Sequence, residues 1–549
     1  MKYVIIGGVA GGATTAARLR RLDEKSQIIL FEKGSHVSYA NCGLPYYIGG
    51  VISEREKLFV QTAQGFSRRF NVEARVFSEV VAIDSVAKSI QVVNLTTGER
   101  YTEIYDKLVL SPGAEPVRPN LPGFLHPKVF TLRNVSDTDR IKNYINDHQV
   151  KKALVVGAGF IGLEMAENLH HLGVQVSIVE MTPQVMAPLD FSMAAIVHQQ
   201  LRAKKVNLLL NQGVTSFVDK DGALEATLSG GEKLVVDMAI LSIGVRPDVN
   251  LAKMANLELG VTGGIKVNEF LQTSSPDIYA VGDAIEFPSP ITHKPVITYL
   301  AGPANRQGRI CADNIVQGNH TVYKGSIATA VAKVFDLTVA ATGMPAKLLK
   351  REGIAYLEST THSASHATYY PGATMMSIKI VFSPTDGKVL GGQVVGNDGV
   401  DKRADLIASV IKNNGTIYNL IDLEHAYAPP YSSAKDPVNM AGYVAENILL
   451  AKVTPFYWDD VADLSDNAFL LDVRTKGEFE QGTITGAVNI PVDDIRSRLS
   501  EIPVDKDLYV FCQVGLRGYI ATKILMQLLP NKVLNLSGGY RTWSACFSS

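Results

Sequence analysis

Cysteine is scarce. Only Cys42, Cys311, Cys512 and Cys546 occur in 549 residues, far too few for a disulfide scaffold and consistent with reduced thiols in a cytoplasmic enzyme. Long apolar runs are absent as well. No stretch reaches the ~18 consecutive apolar residues that a spanning helix needs. The opening MKYVIIGG is too short in apolar residues for a signal peptide and has no A-x-A site after it, so it reads as a strand. An excess of either charge is also missing: 53 Lys plus Arg stand against 54 Asp plus Glu. That balance supplies no field for nucleic acid or for an anionic membrane, so any anion must be held by a local site. Low-complexity segments are missing, and no metal site is expected.

What remains is the composition of ordinary globular domains, 46% hydrophobic and 19% charged. The length exceeds the roughly 250–300 residues at which a single core stops growing, so at least three units are expected. Two segments share one plan. KYVIIGGVAGGATTAARLRRL is followed by QIILFE ending at Glu32, and KKALVVGAGFIGLEMAENLHHLG by QVSIVE ending at Glu180. In each, an apolar run, a glycine-rich turn, a helical stretch and a second apolar run spell a βαβ unit, which predicts two nucleotide-binding domains. From about 325 to 445, runs such as VAKVFDLTVAATG and SIKIVFS alternate apolar with polar residues, the signature of an antiparallel α+β domain. A connector around Val453–Tyr457 then leads to a short α/β pattern from Trp458 onward, with the boundary near 453.

Gly157, Gly159 and Gly162 complete GxGxxG between strand and helix, and Glu180 closes the next strand. The glycines allow a tight turn and let a pyrophosphate approach the helix N-terminus. Glu180 is suited to accept from a ribose 2′-hydroxyl and repels a 2′-phosphate, which favours NADH over NADPH. The first turn departs from the pattern, since Gly7 and Gly12 flank Val9 where a middle glycine is expected, with Glu32 as its acid. Further on, TSSPDIYAVGDAIE ends an apolar strand at Gly282 and Asp283. It resembles the second FAD fingerprint of flavoprotein disulfide reductases, whose aspartate binds the ribityl chain; the plain alternative is a helix N-cap.

In SHVSYANCGLPYYIGG, Cys42 lies ten residues past Glu32, and Tyr47 stands where two-cysteine flavoproteins carry their second cysteine. The segment resembles the single-cysteine branch of the flavoprotein disulfide reductases, and coenzyme A disulfide reductases and NADH-dependent persulfide reductases most of all. That resemblance, over about the first 445 residues, implies FAD, NADH and coenzyme A as cofactors and substrate. It places Cys42 on a helix facing the flavin, with a helix N-terminus and the flavin stabilising its thiolate. It also implies coenzyme A contacts at Thr14, Arg18, Arg21, Ser38, Asn41, Asn305 and Lys435. Asn305 departs from the family, where a histidine is frequent. Arg18 and Arg21 are three apart on one helix face, as two phosphate ligands would be, or as a solvated basic stripe would be. Tyr369 and Tyr427, which sequence alone would class as half-buried sheet residues, resemble tyrosines that reach the cysteine from the partner subunit. A homodimer is therefore part of the expectation.

The last segment reads LDVRTKGEFEQGTITGAVNIP, DLYVFCQVGLRGYIATKIL and VLNLSGGYRTW. It resembles a rhodanese domain, with Cys512 opening the CQVGLR loop and Arg517 leading into a helix. Backbone amides of such a loop can form an anion nest around a thiolate or persulfide. Related phosphatases use a loop one residue longer, so the spacing favours sulfur transfer. Cys311 and Cys546 read as packing or surface residues.

The expected architecture is α/β with two Rossmann-like domains, an α+β dimerisation domain and an α/β rhodanese domain. The expected boundaries are 1–147 and 271–324 for FAD, 148–270 for NADH, 325–452 for dimerisation and 453–549 for rhodanese. The implied activity is NADH-dependent reduction of coenzyme A persulfide, polysulfide or coenzyme A disulfide at Cys42, coupled to sulfur transfer at Cys512. Coenzyme A held at Arg18 and Arg21 would carry sulfur between the two cysteines. Two rivals remain open: an NADH peroxidase or oxidase cycling Cys42 through sulfenic acid, and a redox-sensing scaffold with a sulfur-carrier domain for a protein partner.

Overall fold

Both glycine-rich segments fold as parallel βαβ units. Strand Lys2–Ile6 pairs in register with Gln27–Phe31 on one side and Lys107–Leu110 on the other. Strand Lys152–Val156 does the same with Gln175–Glu180 and Met238–Leu241. Central strands of parallel sheets are covered on both faces, which is why KYVII and KALVV are nearly continuous apolar runs. Ile278–Ala280 adds a parallel strand beside Lys107–Leu110, so the segment that ends at Asp283 returns to the first sheet. The computed structural model describes residues 1–547, and the chain divides into two units. One comprises Met1–Met181 with Leu209–Ala328; the other comprises Thr182–Leu208 with the chain from Thr329 onward.

The first unit also contains two three-stranded antiparallel sheets that the sequence reading does not anticipate. They are built from Ser78–Asp84, Ser89–Asn94 and Arg100–Ile104, and from Val214–Lys220, Ala223–Leu228 and Lys233–Val236. Asp221-Gly222 is the two-residue hairpin signal that would have revealed the second.

In the second unit, five antiparallel strands run in the order Ala330–Val334, Leu337–Gly343, Val389–Gly396, Met375–Phe382, Leu357–Ala364. The antiparallel expectation holds. The expected alternation does not, because Val389–Gly396 is buried throughout and Met375–Phe382 at all but its first residue. Helices Phe191–Ala203, Val400–Lys412 and Pro437–Leu449 pack on these strands and leave them no wet face. A second, all-parallel sheet runs Thr454–Phe456, Val533–Leu536, Asp507–Phe511, Ala468–Asp472, Val488–Asn489. The stretch expected to be a connector thus supplies its outer strand, Thr454–Phe456. Pro455 disguises it, and an edge is where a strand tolerates proline. Among the described residues, no helix is long and apolar enough to cross a membrane, and no group of three or more His, Cys, Asp or Glu side chains is placed to hold a metal.

Candidate active sites

The two glycine turns superimpose in their logic. Gly7 and Gly157 both have φ of +97°, a conformation that favours glycine. A Cβ on Gly12 would lie 1.9 Å from the Gly7 carbonyl oxygen, and one on Gly162 would lie 2.0 Å from that of Gly157. The acids at the ends of the second strands hold the turns: Glu32 accepts from Gly8 N–H at 2.9 Å and Gly34 N–H at 2.7 Å, and Glu180 accepts from Ala158 N–H at 2.9 Å. Val9 and Gly159 occupy equivalent N-cap positions, and a Cβ on Gly159 would meet nothing within 4 Å. The middle glycine is therefore not needed to close the turn, which explains how Val9 is accommodated.

A cavity of about 750 Å³ opens beside the first turn, lined by Gly7, Glu32, Ser111, Arg133, Asp283 and Cys42 among others. Asp283 lies inside a single 3₁₀ turn, Gly282–Ala284, whose N-cap is Val281, so the helix-cap alternative fails. Burial pushes its carboxyl up to about 6, and the nearby Arg133 only partly offsets this. No group among the described residues hydrogen-bonds it. A cavity of this size, a glycine turn at one wall and a desolvated acid able to take a hydroxyl fit a flavin nucleotide.

Cys42 sits in the 3₁₀ turn Asn41–Gly43, immediately before the short helix Leu44–Ile48, and not on the helix itself. Its side chain is exposed and lines the cavity. The protein crowds the sulfur on enough sides that burial raises its pKa, and the carboxylates of Glu164 and Asp283 raise it further. Burial first, and then these two carboxyls, work against the thiolate that a helix N-terminus was expected to support. Glu164, on helix Phe160–His171, is a site residue that the sequence motifs do not mark. Burial lifts its carboxyl to about 7, and Tyr46, four residues past the cysteine, donates to it at 3.4 Å. Nothing local marks Glu164, since its partner lies 118 residues away. Ser38, at φ of +49°, donates its N–H to the Gly8 carbonyl at 2.7 Å and ties this segment to the glycine turn. Asn41 is exposed on the cavity wall.

Helix Ala10–Leu22 packs along helix Ala301–Gln317. Thr14 Oγ1 donates to Asn305 Oδ1 at 2.6 Å, so these two expected substrate residues meet. Arg18 and Arg21 stand in different settings. Arg18 Nε is held by Asp313 at 2.7 Å, a partner supplied by the neighbouring helix and invisible locally, whereas Arg21 is exposed in the last turn. Arg20 between them is buried and donates to the carbonyls of Asp23, Glu24, Ser26, Phe70 and Asn71. It is the staple of the helix end.

In the second unit, Tyr369 and Tyr427 come together, their hydroxyls 2.9 Å apart. Both lie in loops and are 75% and 48% exposed, unlike the half-buried sheet residues expected from sequence alone. The loops are stitched by Ala367 N–H to the Ser432 carbonyl at 3.0 Å and by buried Arg403, which donates to the Ser365 carbonyl at 3.0 Å and to Asp436 at 2.9 Å. Lys435, next to that anchored aspartate, is exposed.

Cys512 follows strand Asp507–Phe511 and is 1% exposed. Gly515, at φ of +109°, turns its N–H onto the sulfur at 3.1 Å. Helix Leu516–Leu528 starts there, with Arg517 inside its first turn and not ahead of it. Arg517 forms a two-point ion pair with Glu478, both bonds 2.7 Å, and this holds the carboxyl down to about 2, helped by the Thr475 backbone and hydroxyl. Asp472 and Arg474 pair beneath the loop, and the guanidinium stacks 4.0 Å from the Tyr540 ring centre. Cys311 and Cys546 are buried, in no disulfide, and burial raises both thiols, that of Cys546 to about 12. They are packing residues.

Known proteins agree with this division. The pattern of the pyridine nucleotide-disulphide oxidoreductases matches residues 1–308, that of their dimerisation domain 329–437, and that of the rhodanese-like domain 458–546. A coenzyme A disulfide reductase of Staphylococcus haemolyticus is 37% identical over 447 residues, 81% of this chain and 100% of that protein. Among solved structures, reduced CoADR-RHD of Bacillus anthracis superimposes with a TM-score of 0.97 at 51% identity, covering 100% of this chain and 98% of that one. An NAD-dependent persulfide reductase from A. fulgidus gives 0.93 at 35% identity, covering 99% and 100%. The chain therefore belongs to the pyridine nucleotide-disulphide oxidoreductases, as a flavoprotein with FAD and NADH as cofactors and a rhodanese-like domain after its dimerisation domain.

Proposed function

We propose that this enzyme reduces coenzyme A persulfide, and with it polysulfide or coenzyme A disulfide, at Cys42, and that Cys512 carries sulfur to or from that reaction. The observation that carries the reading is a lone thiol open to the flavin-sized cavity with Tyr47 in place of a second cysteine. FAD bound there would supply two-electron transfer between nicotinamide and thiol. With no internal partner, the Cys42 thiolate must attack the substrate. It displaces hydrosulfide from the sulfur attached to coenzyme A and leaves a mixed disulfide. An electron pair from NADH then cleaves that disulfide to two thiolates. The sum is RSSH + NADH + H⁺ → RSH + H₂S + NAD⁺. Glu180 holds the second glycine turn in the form that receives the dinucleotide.

Within this reading, Asp283 takes the ribityl hydroxyls, and Thr14 with Asn305, Ser38 and Asn41 line the coenzyme A path. Arg21 and the remaining donors of Arg18 meet its phosphates, where it is retained as the sulfur carrier. Tyr369, Tyr427 and Lys435 serve the cysteine of a second subunit in a homodimer, which their exposure supports. The domain limits at 147, 270, 324 and 452 belong to the same proposal. The test is a pair of purified variants assayed with NADH and coenzyme A persulfide. Cys42→Ser is expected to abolish sulfide release while Cys512→Ser retains it; a fully active Cys42→Ser would refute the mechanism.

A further inference from the structure

Strand Leu357–Ala364 closes one edge of the dimerisation-domain sheet. An edge strand leaves outward N–H and C=O groups that must be covered, and Ser359, Thr360, Thr361 and His362 are buried although they lie on it. Helix Pro437–Leu449 packs on this strand, and the rhodanese-like segment caps its edge with side chains, not with a further strand. The Tyr457 hydroxyl donates to the Glu358 carbonyl at 3.2 Å, Ser537 Oγ accepts the Thr360 N–H at 3.1 Å, and Thr542 Oγ1 lies 2.8 Å from His362 Nε2. His362 Nδ1 is 2.8 Å from Ser377 Oγ, its neighbour across the strand pair. The proton positions follow from the bonding. Thr542 has one hydroxyl proton and gives it to the Gly538 carbonyl at 3.2 Å, so His362 Nε2–H donates to Thr542 and Nδ1 accepts from Ser377. Burial pushes the imidazole down to about 3, so it stays neutral.

The turn bonded in this way also carries the sulfur loop. Tyr540 N–H donates to the Cys512 carbonyl at 2.8 Å and Arg541 N–H to that of Gln513 at 3.0 Å. Space is tight along the whole path. A Cβ on Gly539 would lie 2.5 Å from the Cys512 carbonyl oxygen, and one on Gly538 would lie 2.1 Å from Thr542 Oγ1 and 3.1 Å from Thr360 Cγ2. With its carbonyls fastened on the side of residues 540 and 541, the loop turns the Gly515 amide toward the sulfur.

We propose that His362, acting through Thr542, is a positioning residue for the Cys512 loop, so that sulfur transfer depends on the dimerisation domain as well as on the rhodanese fold. This rests on the reading of Cys512 as the sulfur carrier. The parallel sheet holds turn 537–542 through the Ser537 N–H on the Phe456 carbonyl at 2.9 Å and through the Cys512 and Gln513 carbonyls, and the dimerisation domain adds Thr360 and His362 as anchors on its other side. Displacement of a reacting group by ~1 Å can cost about 100-fold in rate, so loss of the His362 anchor is expected to be felt at the sulfur.

The test uses the full-length flavoprotein. Sulfur transfer is followed from inorganic polysulfide to dithiothreitol, and the pH profile of Cys512 alkylation by iodoacetamide is read by mass spectrometry. Thr542→Val, which removes only the hydroxyl, and His362→Leu are expected to lower transfer by about tenfold or more and to move the alkylation midpoint upward. Thr542→Ser and His362→Gln should restore most of both, with NADH-driven ferricyanide reduction unchanged throughout. A Thr542→Val protein with the parent's transfer rate and alkylation profile overturns the proposal. So does parallel loss of ferricyanide reduction, which would mark a general structural role. The alkylation arm needs no turnover, so it judges the positioning even if Cys512→Ser showed that transfer runs through another group.

Discussion

The two cysteines proposed to handle sulfur sit in opposite settings. Cys512 is almost fully enclosed, and its own chain turns a backbone N–H onto the sulfur and sets Arg517 at the start of the next helix. Cys42 is open to a cavity and receives only enclosure and two carboxylates from its protein, both of which favour the neutral thiol. Enclosure and negative neighbours hold back a thiol until something else in its site favours the thiolate, whereas a backbone N–H aimed at the sulfur is present in the fold at all times. The difference teaches that the first site is completed by its cofactor and the second by its fold.

Deleting each sulfur in turn breaks the comparison most sharply. Cys42→Ser should lower NADH-dependent persulfide reduction by about a thousandfold or more, the scale of losing a nucleophile, with polysulfide-to-thiol transfer intact, and Cys512→Ser should do the reverse. Sulfide release and thiol formation measured side by side on both proteins decide it. If both activities fell in either variant, the sites would not be separable.

Gly515→Ala should be next in size. At φ of +109° an alanine is strained, and relaxing that strain would swing the N–H away from Cys512, so transfer is expected to drop by about 100-fold. Reduction at Cys42 should stay within twofold.

Glu478→Gln probes the charge beside Cys512. The carboxyl is held down to about 2 in the fold, against about 4.3 in an unfolded chain. Its contribution to stability is therefore present above about pH 4.3 and is lost as the pH falls through about 2. The pair is partly solvated, so the effect is expected to be no more than about 1 kcal/mol at neutral pH. Urea midpoints of the rhodanese transition at pH 7 and pH 3 should show the gap between parent and variant narrowing on acidification. A gap that widens would reverse the assignment.

The smallest effect is expected at Cys42 itself. Glu164→Gln removes one of the two carboxyls that, after burial, raise the thiol, so the alkylation midpoint of Cys42 in the flavin-free protein should fall. An upward shift would show that Glu164 acts as a proton donor to the sulfur instead.

The sequence alone determined whatever depends on local backbone. The glycines at 7, 12, 157 and 162 are legible because only a residue without Cβ fits those turns, and Glu32 and Glu180 because the βαβ spacing returns them to the turn they hold. Cys512 is legible for the same reason, since strand, loop and helix follow one another along the chain. Tertiary structure alone decided the matters set by partners distant in sequence. Asp313 takes the Nε of Arg18 from 295 residues away, Glu164 reaches Tyr46 across 118, and Thr542 meets His362 across 180. A side chain's charge and exposure are set by what packs against it, and periodicity along one element carries no record of which distant element that will be.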